Sequence, residues 1–422
     1  MKRLHLLLLL ILLSSTSRLF SQWSNRPDAT QIKSVQLFKP NDPTSLPILL
    51  LGVNDQLELH FDDMEGGIKY YYYSLQLCNS DWSEADVPSF DYTRGFISNR
   101  IYNYRQSSLT PIKYTHYHTL LPERNSGLTK GGNYLLKVYL NDDTSRLAFQ
   151  RRLLVVNKKA MISSEVLQPF NGNLMQTHQR LRLGVNIAGS NLSVYSPKDL
   201  KVVIVKNNDW TSAVSFASPT LYRGDYFEYD DERTNFAGGK EWRWVDLRTI
   251  RLRTDRVKQI IDSDSSDRVD IIVNPDGEKG QQPYLYYRDL DGLFYIESKD
   301  APNSYWQSDY AWVHFTYVPP ARRAIAGKDI YLNGALTNYM SDPSSKMVFN
   351  EEKGQYEAVL YLKQGYYNYS YITKNSTGNT ENSEGDYWGT ENQYLILTYY
   401  KPFGGRADDL IGLSIMHSVY QR

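Results

Sequence analysis

Cysteine is nearly absent from this chain of 422 residues, since Cys78 is the only one. A lone cysteine has no partner for an intrachain disulfide, so folding must rest on core burial rather than on cross-links. Cys78 follows an apolar run, and no histidine or basic side chain stands near it, so we expect a buried and unreactive thiol. This usage excludes a disulfide scaffold and disfavours a cysteine nucleophile.

Excess charge of either sign is also missing. Lys and Arg together number 47, and Asp and Glu also number 47. The balance removes a general electrostatic attraction to nucleic acid or to anionic lipid. Nucleophile-elbow, phosphate-loop and dinucleotide-binding motifs are absent from the sequence as well. We therefore predict a protein that is not an enzyme, has no catalytic residues, needs no cofactor and binds no nucleic acid.

Metal-binding patterns are weak. His116 and His118 share one face of a predicted strand, but the sequence places no third ligand beside them. The acidic segment 262–267 offers oxygens at alternating positions, yet Val273 stands where a closing glutamate of an EF-hand is required. We predict no metal site and a solvated loop at 262–267.

Long apolar runs are confined to the N-terminus. Lys2 and Arg3 precede an apolar stretch at 4–13, which is too short to span a membrane and typical of a secretory signal. We assign 1–21 to a signal peptide and expect a soluble mature chain in an extracytoplasmic space.

Amphipathic helical periods with caps are also lacking, whereas tyrosine is abundant. The chain has 35 Tyr, and aromatic residues make up 14% of it. Tyrosine favours half-buried strand faces and is enriched at binding surfaces. Short alternating runs separated by turn residues predict an all-β protein of tandem immunoglobulin-like β-sandwich domains. The predicted sandwiches cover 22–157, 158–320 with long loops, and 321–422.

One segment is especially distinctive. Alternating tyrosines and leucines at 71–77 predict a strand with one buried face, and Asn79, Asp81 and Trp82 then break the alternation. These residues and Arg94 have two interpretations, namely a structural turn against the sandwich edge or direct contact with a partner. The sequence leaves both open.

The block 321–422 is similar to the early-set sandwiches of carbohydrate-binding modules. Tyr366, Tyr367, Tyr369 and Tyr371 offer aromatic faces that suit sugar stacking, but three of them share one strand face, which favours a core. An envelope glycan-binding protein that uses this sandwich is the alternative function.

Several long motifs resemble the plug family of the Bacteroidota type 9 secretion system. The longest is 72–82, with the sequence YYSLQLCNSDW. The others lie at 91–96, 114–117, 242–247, 309–315, 362–369, 384–386, 390–392 and 409–412.

The resemblance implies a function without catalysis. Members of this family are periplasmic proteins at the inner face of the outer membrane. They bind the periplasmic opening of the outer-membrane translocon barrel and seal it while no cargo passes. It also implies a chain that is peripheral to the membrane through its protein partner and monomeric when free.

Overall fold

The computed structural model describes residues 26–262 and 267–418. The predicted signal peptide and positions 263–266 of the acidic segment lie outside these ranges. Strands account for 47% of the described residues and helix for 5%, which confirms the all-β prediction. Within the described ranges, no helix combines the length and apolar character needed to cross a membrane.

The first sandwich comprises strands β1 to β11. Their bounds are β1 (Ile32–Phe38), β2 (Ile48–Leu50), β3 (Leu57–Asp63), β4 (Tyr71–Cys78), β5 (Thr93–Gly95), β6 (Ser98–Arg100), β7 (Asn103–Gln106), β8 (Thr115–Leu121), β9 (Ser126–Leu128), β10 (Gly132–Leu140) and β11 (Leu147–Val156). One sheet has the order β1-β3-β8-β7 and the other β2-β11-β10-β4-β6, while β5 pairs with β9. A helical turn, Ser89–Tyr92, precedes β5.

The second sandwich begins with β12 to β18 and is completed by the last two strands of the described chain. The early strands are β12 (Met161–Leu167), β13 (His178–Asn186), β14 (Leu200–Lys206), β15 (Val214–Phe216), β16 (Leu221–Arg223), β17 (Tyr226–Tyr229) and β18 (Asn235–Ala237). Its 3-10 turns are Gly172–Leu174, Pro197–Asp199, Trp210–Ser212 and Glu232–Thr234.

The third sandwich comprises β19 to β29 and interrupts the second. Its strands are β19 (Arg243–Asp246), β20 (Val257–Asp262), β21 (Val269–Val273), β22 (Asp276–Gly277), β23 (Phe294–Ile296), β24 (Tyr310–Val318), β25 (Lys328–Asn333), β26 (Val348–Asn350), β27 (Gln355–Lys363), β28 (Gly365–Asn375) and β29 (Thr380–Asn382). A 3-10 turn lies at Ala335–Thr337. The chain then returns to the second sandwich with β30 (Gln393–Tyr400) and β31 (Asp409–His417).

Strand pairing therefore crosses the boundary that the sequence analysis sets at residue 320. β30 lies between β14 and β31 in one sheet of the second sandwich, and β24 pairs with β27 in the third. The physical reason is that antiparallel partners need not be neighbours in the chain, so local alternation locates strands without revealing which sheet they join.

Both faces of the first sandwich are covered by the other two. The outer face of the β2-β11-β10-β4-β6 sheet contributes Cys78, Leu135 and Leu154 to an apolar layer shared with Val203 and Leu397 of the second sandwich. The outer face of the other sheet meets the third sandwich through polar contacts. Because strands such as β10 and β14 are buried on both faces, they read as almost continuous apolar runs.

Candidate protein-interaction surface

The turn after β4 is built by the asparagine and aspartate that the sequence analysis singled out. Asn79 donates from Nδ2 to Ser83 Oγ at 3.0 Å, and its carbonyl accepts from the Trp82 amide at 2.9 Å. Asp81 Oδ1 accepts from the Ser83 amide at 3.0 Å and from its hydroxyl at 2.6 Å. These bonds satisfy a tight turn locally, as short polar side chains commonly do.

Trp82 packs inside the molecule. It is 4% exposed, its ring meets Trp210 of the second sandwich edge-on at 4.8 Å, and the Arg152 guanidinium lies 5.0 Å from it. Its φ of +67° is rare for a bulky side chain, so burial must offset the backbone strain. Trp82 thus joins two sandwiches rather than facing solvent.

Arg94 lies in a different, more open place. It is exposed on β5 and lines a groove of about 550 Å³ whose other walls come from 49–56 and 122–129. The next residue, Gly95, has a φ of +92°, and a Cβ there would come within 1.8 Å of the Asn125 carbonyl oxygen. Only glycine allows β5 to approach β9 so closely. Arg94 therefore lines an open groove that Asn79, Asp81 and Trp82 do not line.

Cys78 behaves as the sequence suggests. The thiol is buried next to the layer between the first and second sandwiches, and burial raises its pKa to about 12. A thiol with a raised pKa holds little thiolate near neutral pH, so it is a poor nucleophile.

The free edge of the first sandwich carries four exposed aromatic residues and one isoleucine, none of which the sequence analysis assigned to a binding surface. We call this surface the aromatic edge and define it by side chains that are 38% to 66% exposed: Tyr70, Phe96, Ile97, Tyr102 and Tyr104. They stand on or beside β6 and β7, which are edge strands of the two opposing sheets. Because only Ile101 and Tyr102 separate β6 from β7, both sheets end on the same side of the sandwich.

Arg100 organises part of the aromatic edge. Its guanidinium carbon lies 4.0 Å from the Tyr70 ring centroid and 5.1 Å from that of Tyr102. A stacked arginine between tyrosines is a combination enriched in protein interfaces. Unpaired strand edges additionally offer backbone donors and acceptors to a partner. The surface is therefore suited chemically to binding protein rather than a small ligand.

The histidine pair of β8 belongs to a structural cluster. His116 Nδ1 lies 2.7 Å from Asp62 Oδ1, and His116 Nε2 lies 3.0 Å from His60 Nδ1, so both ring nitrogens are engaged in hydrogen bonds. His118 stacks on His60 at 5.7 Å. The first sandwich thereby builds a polar layer against Tyr305, whose ring lies 4.1 Å from that of His60.

Asp62 is the centre of that layer. Its Oδ2 accepts from Lys363 Nζ and from the Tyr310 hydroxyl, each at 2.5 Å, and both partners belong to the third sandwich. Burial opposes ionisation of Asp62, but the charge of Lys363 and the hydrogen bond from His116 outweigh it and lower the pKa of this carboxyl. The layer is therefore an electrostatic joint between sandwiches.

The tyrosines considered for sugar stacking are mostly core residues. Tyr367, Tyr369 and Tyr371 are at most 2% exposed, and the hydroxyls of Tyr369 and Tyr371 each donate to Asp276 at 2.8 Å. Tyr366 is half-buried and stacks with Tyr295 at 5.8 Å. A ring enclosed on both faces cannot stack on a sugar, so these four do not form a platform.

Other motif residues also hold the molecule together. Arg243 bridges Asp276 and Glu384 through Nη1 and Nη2, each at 2.7 Å. Asn392 donates to the Gly238 carbonyl at 2.8 Å and accepts from Asn207 at the same distance. Arg243 and Asn392 thus join parts of the fold, whereas Phe96, the last residue of the motif at 91–96, belongs to the exposed aromatic edge.

The fold is therefore that of a protein of three interlocked β-sandwiches with an exposed aromatic edge. Residues 32–157 match the family model described as type 9 secretion system plug protein 1st domain. This match agrees with the resemblance to the plug family that the sequence motifs indicate. This association points to a structural rather than a catalytic role.

Similarity to solved structures extends further along the chain. A crystal structure at 2.30 Å of a hypothetical protein from Parabacteroides merdae ATCC 43184 superposes with a TM-score of 0.88 at 29% identity, covering 93% of this chain and 98% of that one. Trypsin-activated alpha-2-macroglobulin from Escherichia coli gives a TM-score of 0.18 at 7% identity over 93% of this chain and 35% of that one, which is too low to inform the fold. None of the curated proteins compared matches the chain.

Proposed function

We propose that this protein is a periplasmic plug that binds and seals the periplasmic opening of the type 9 secretion system translocon barrel while no cargo passes. The supporting observation is that the plug-family match covers the sandwich that bears the aromatic edge. The protein acts at the inner face of the outer membrane, is peripheral to it through its partner, and is monomeric when free.

The aromatic edge is the surface we assign to barrel contact. Sealing needs a rigid body, and covering both faces of the first sandwich holds that edge in a fixed position. Sealing also needs reversible binding, which a modest surface of tyrosine, phenylalanine and arginine can provide without a large obligate interface.

Copurification from the host envelope tests this proposal. Tagged wild-type protein should recover a very large outer-membrane barrel from detergent-solubilised envelopes. The double variant F96S/Y102S should recover roughly tenfold less barrel or worse, because central aromatic contacts dominate interface energies.

A matched control uses exposed aromatics outside the first sandwich. Tyr195 and Phe403 are 84% and 97% exposed, so Y195S/F403S removes similar apolar surface without altering the aromatic edge. This variant should recover barrel as wild type does. Equal losses in both variants would contradict the assignment of the edge, and absence of a barrel from the wild-type sample would contradict the plug function itself.

A further inference from the structure

A second cluster of ionisable side chains lies where the second and third sandwiches meet. Asp291 comes from the loop between β22 and β23, Glu391 precedes β30, and His417 is the last residue of β31. One ligand atom from each lies within 4.8 Å of the other two. His417 Nδ1 is 2.9 Å from Glu391 Oε1 and 3.9 Å from Asp291 Oδ2.

One oxygen of the buried Asp291 carboxylate lacks a hydrogen-bond donor in the described part of the chain. Asp291 is 6% exposed and directs Oδ2 toward His417, while its Oδ1 has no hydrogen-bond partner among the residues that the structure describes. A buried carboxylate oxygen that lacks a donor is costly and uncommon in folded proteins. Such an atom beside a histidine and a second carboxylate is the arrangement that a bound cation would satisfy.

Negative charge is concentrated around this position. Glu241 is 2% exposed, and its Oε1 accepts from the Glu391 amide at 3.3 Å, while its Oε2 has no partner in the described part of the chain. Asp289 Oδ1 accepts from the Asp291 amide at 2.8 Å. Four carboxylates therefore crowd a junction of limited solvent access.

Basic side chains near the junction do not neutralise this charge. Lys206 lies close enough to Asp291 to attract it, but its Nζ donates to the Ala237 carbonyl at 2.6 Å. Lys279 donates to the Glu241 carbonyl and to the Tyr287 hydroxyl, each at 2.8 Å. Both amines are directed to neutral oxygens, which leaves the carboxylates for a different cation.

We propose that Asp291, Glu391 and His417 bind one divalent transition-metal ion of the Zn²⁺ class at the junction of the second and third sandwiches. A nitrogen ligand with two carboxylates suits Zn²⁺, whereas Ca²⁺ takes oxygen ligands. Ligand atoms around tetrahedral Zn²⁺ stand about 3.3 Å apart, given bonds of about 2.0 Å. The observed separations approach this value, so small side-chain rotations complete the site.

The site would act as a clamp. Glu391 and His417 stand 100 and 126 residues after Asp291, so the three ligands join a loop of the third sandwich to the final strands of the second. The His417 side chain is 36% exposed, so one side of the ion faces water. A metal held by three protein ligands and water would fix the two sandwiches relative to each other. This added rigidity would assist plugging, but the zinc site does not depend on the proposed plug function.

Zinc titration of the chelator-treated, full-length protein tests the site. Calorimetry should show one Zn²⁺ bound per chain, and ZnCl₂ should raise the thermal midpoint of unfolding. D291N and H417A should each weaken zinc binding roughly tenfold or more, since even outer ligand partners carry effects of this size. CaCl₂ should give no comparable shift.

Two features of the design keep the test decisive. D291N is nearly isosteric with wild type, so the thermal midpoint of the metal-free variant should equal or exceed that of the metal-free wild type, and this measurement separates lost ligation from misfolding. The control H314A removes a partly exposed histidine that pairs with Asp270 at 2.6 Å on the third sandwich, and it should bind zinc as wild type does. No zinc binding by wild type, equal binding by D291N and H417A, or preference for Ca²⁺ would each overturn the proposal.

Discussion

Asp62 of the first sandwich and Lys363 of the third form an ion pair in which Oδ2 and Nζ lie 2.5 Å apart, and both side chains are at most 1% exposed. Removing one member leaves the other charge buried without its partner. We therefore expect K363M to lower the free energy of unfolding by about 3–5 kcal/mol. Urea denaturation followed by tryptophan fluorescence measures this change.

The double variant D62N/K363M separates pairing from packing. It removes both charges, so it should be less destabilised than the sum of the two single variants. R182M is a matched control, because Arg182 pairs with Glu165 while both are about half exposed, and exposed pairs contribute about 1 kcal/mol or less. Additive losses in the double variant would contradict strong coupling of Asp62 with Lys363.

Acid should weaken the same joint through His116. Burial lowers the pKa of His116 to about 4, although Asp62 beside it favours the charged ring. The unfolded chain binds this proton near the ordinary value of about 6.5, so between these values the unfolded state holds more protons. Stability is therefore complete above pH 6.5 and falls by roughly 3 kcal/mol as the pH drops through 6.5 to 4.

Denaturant unfolding at intervals between pH 7 and pH 4 checks this dependence. H116N should be less stable at pH 7 and should show a shallower acid limb, because the titrating ring is gone. H178N changes a histidine of the second sandwich that is bonded to Thr177, and it should keep the wild-type slope. An unchanged slope in H116N would show that other groups cause the acid sensitivity.

The two interpretations of the turn after β4 predict different results for Trp82. If Trp82 is a buried contact against Trp210, W82A should lower the free energy of unfolding by about 3–5 kcal/mol. F403A, at an almost fully exposed position, should change stability by about 0.5 kcal/mol or less. If W82A kept wild-type stability but lost the barrel in copurification, the partner-contact interpretation would replace the structural one.

Local pattern predicts the strands here but not their partners. The alternation at 71–77 identifies β4 because every second side chain along a strand points to the same face of the sheet. Tyr71 and Tyr73 are buried, as this pattern predicts. The sequence pattern does not predict the burial of Asp62 and His60, because they are polar residues on a strand face that would be solvated in an isolated sandwich. Only packing against the third sandwich buries them.

The aromatic edge and the proposed zinc site also differ in how far local sequence could have predicted them. Four of the five residues of the aromatic edge lie within 96–104, and the pairing of β4 with β6 brings Tyr70 beside them. Exposed aromatics between short strands could have suggested the 96–104 part, had their orientation been known. Asp291, Glu391 and His417 are brought together by the return of the chain to the second sandwich. Spacing in sequence carries no signal for such a site, since long-range topology alone creates it.

Because the third sandwich interrupts the second, we predict that the second can fold after the third is removed. Asn392 Nδ2 lies 2.8 Å from the Gly238 carbonyl oxygen, so the chain leaves and re-enters this sandwich at nearly one point. A protein in which 26–238 is joined to 392–418 through a short Gly-Ser link should therefore retain the first two sandwiches. β30 would still lie between β14 and β31, with Val203 and Leu397 covering the first sandwich.

The comparison fragment is 158–320, which ends where the sequence analysis places a boundary. It lacks β30 and β31 and keeps only part of the third sandwich. The strands β14 and β24 therefore lose their hydrogen-bonded neighbours β30 and β27. Circular dichroism and urea unfolding should show a cooperative transition for the joined chain and none for this fragment. Cooperative folding of 158–320 would mean that its strands form a sandwich without the C-terminal pair, and the interlocked connectivity would then be unnecessary for stability.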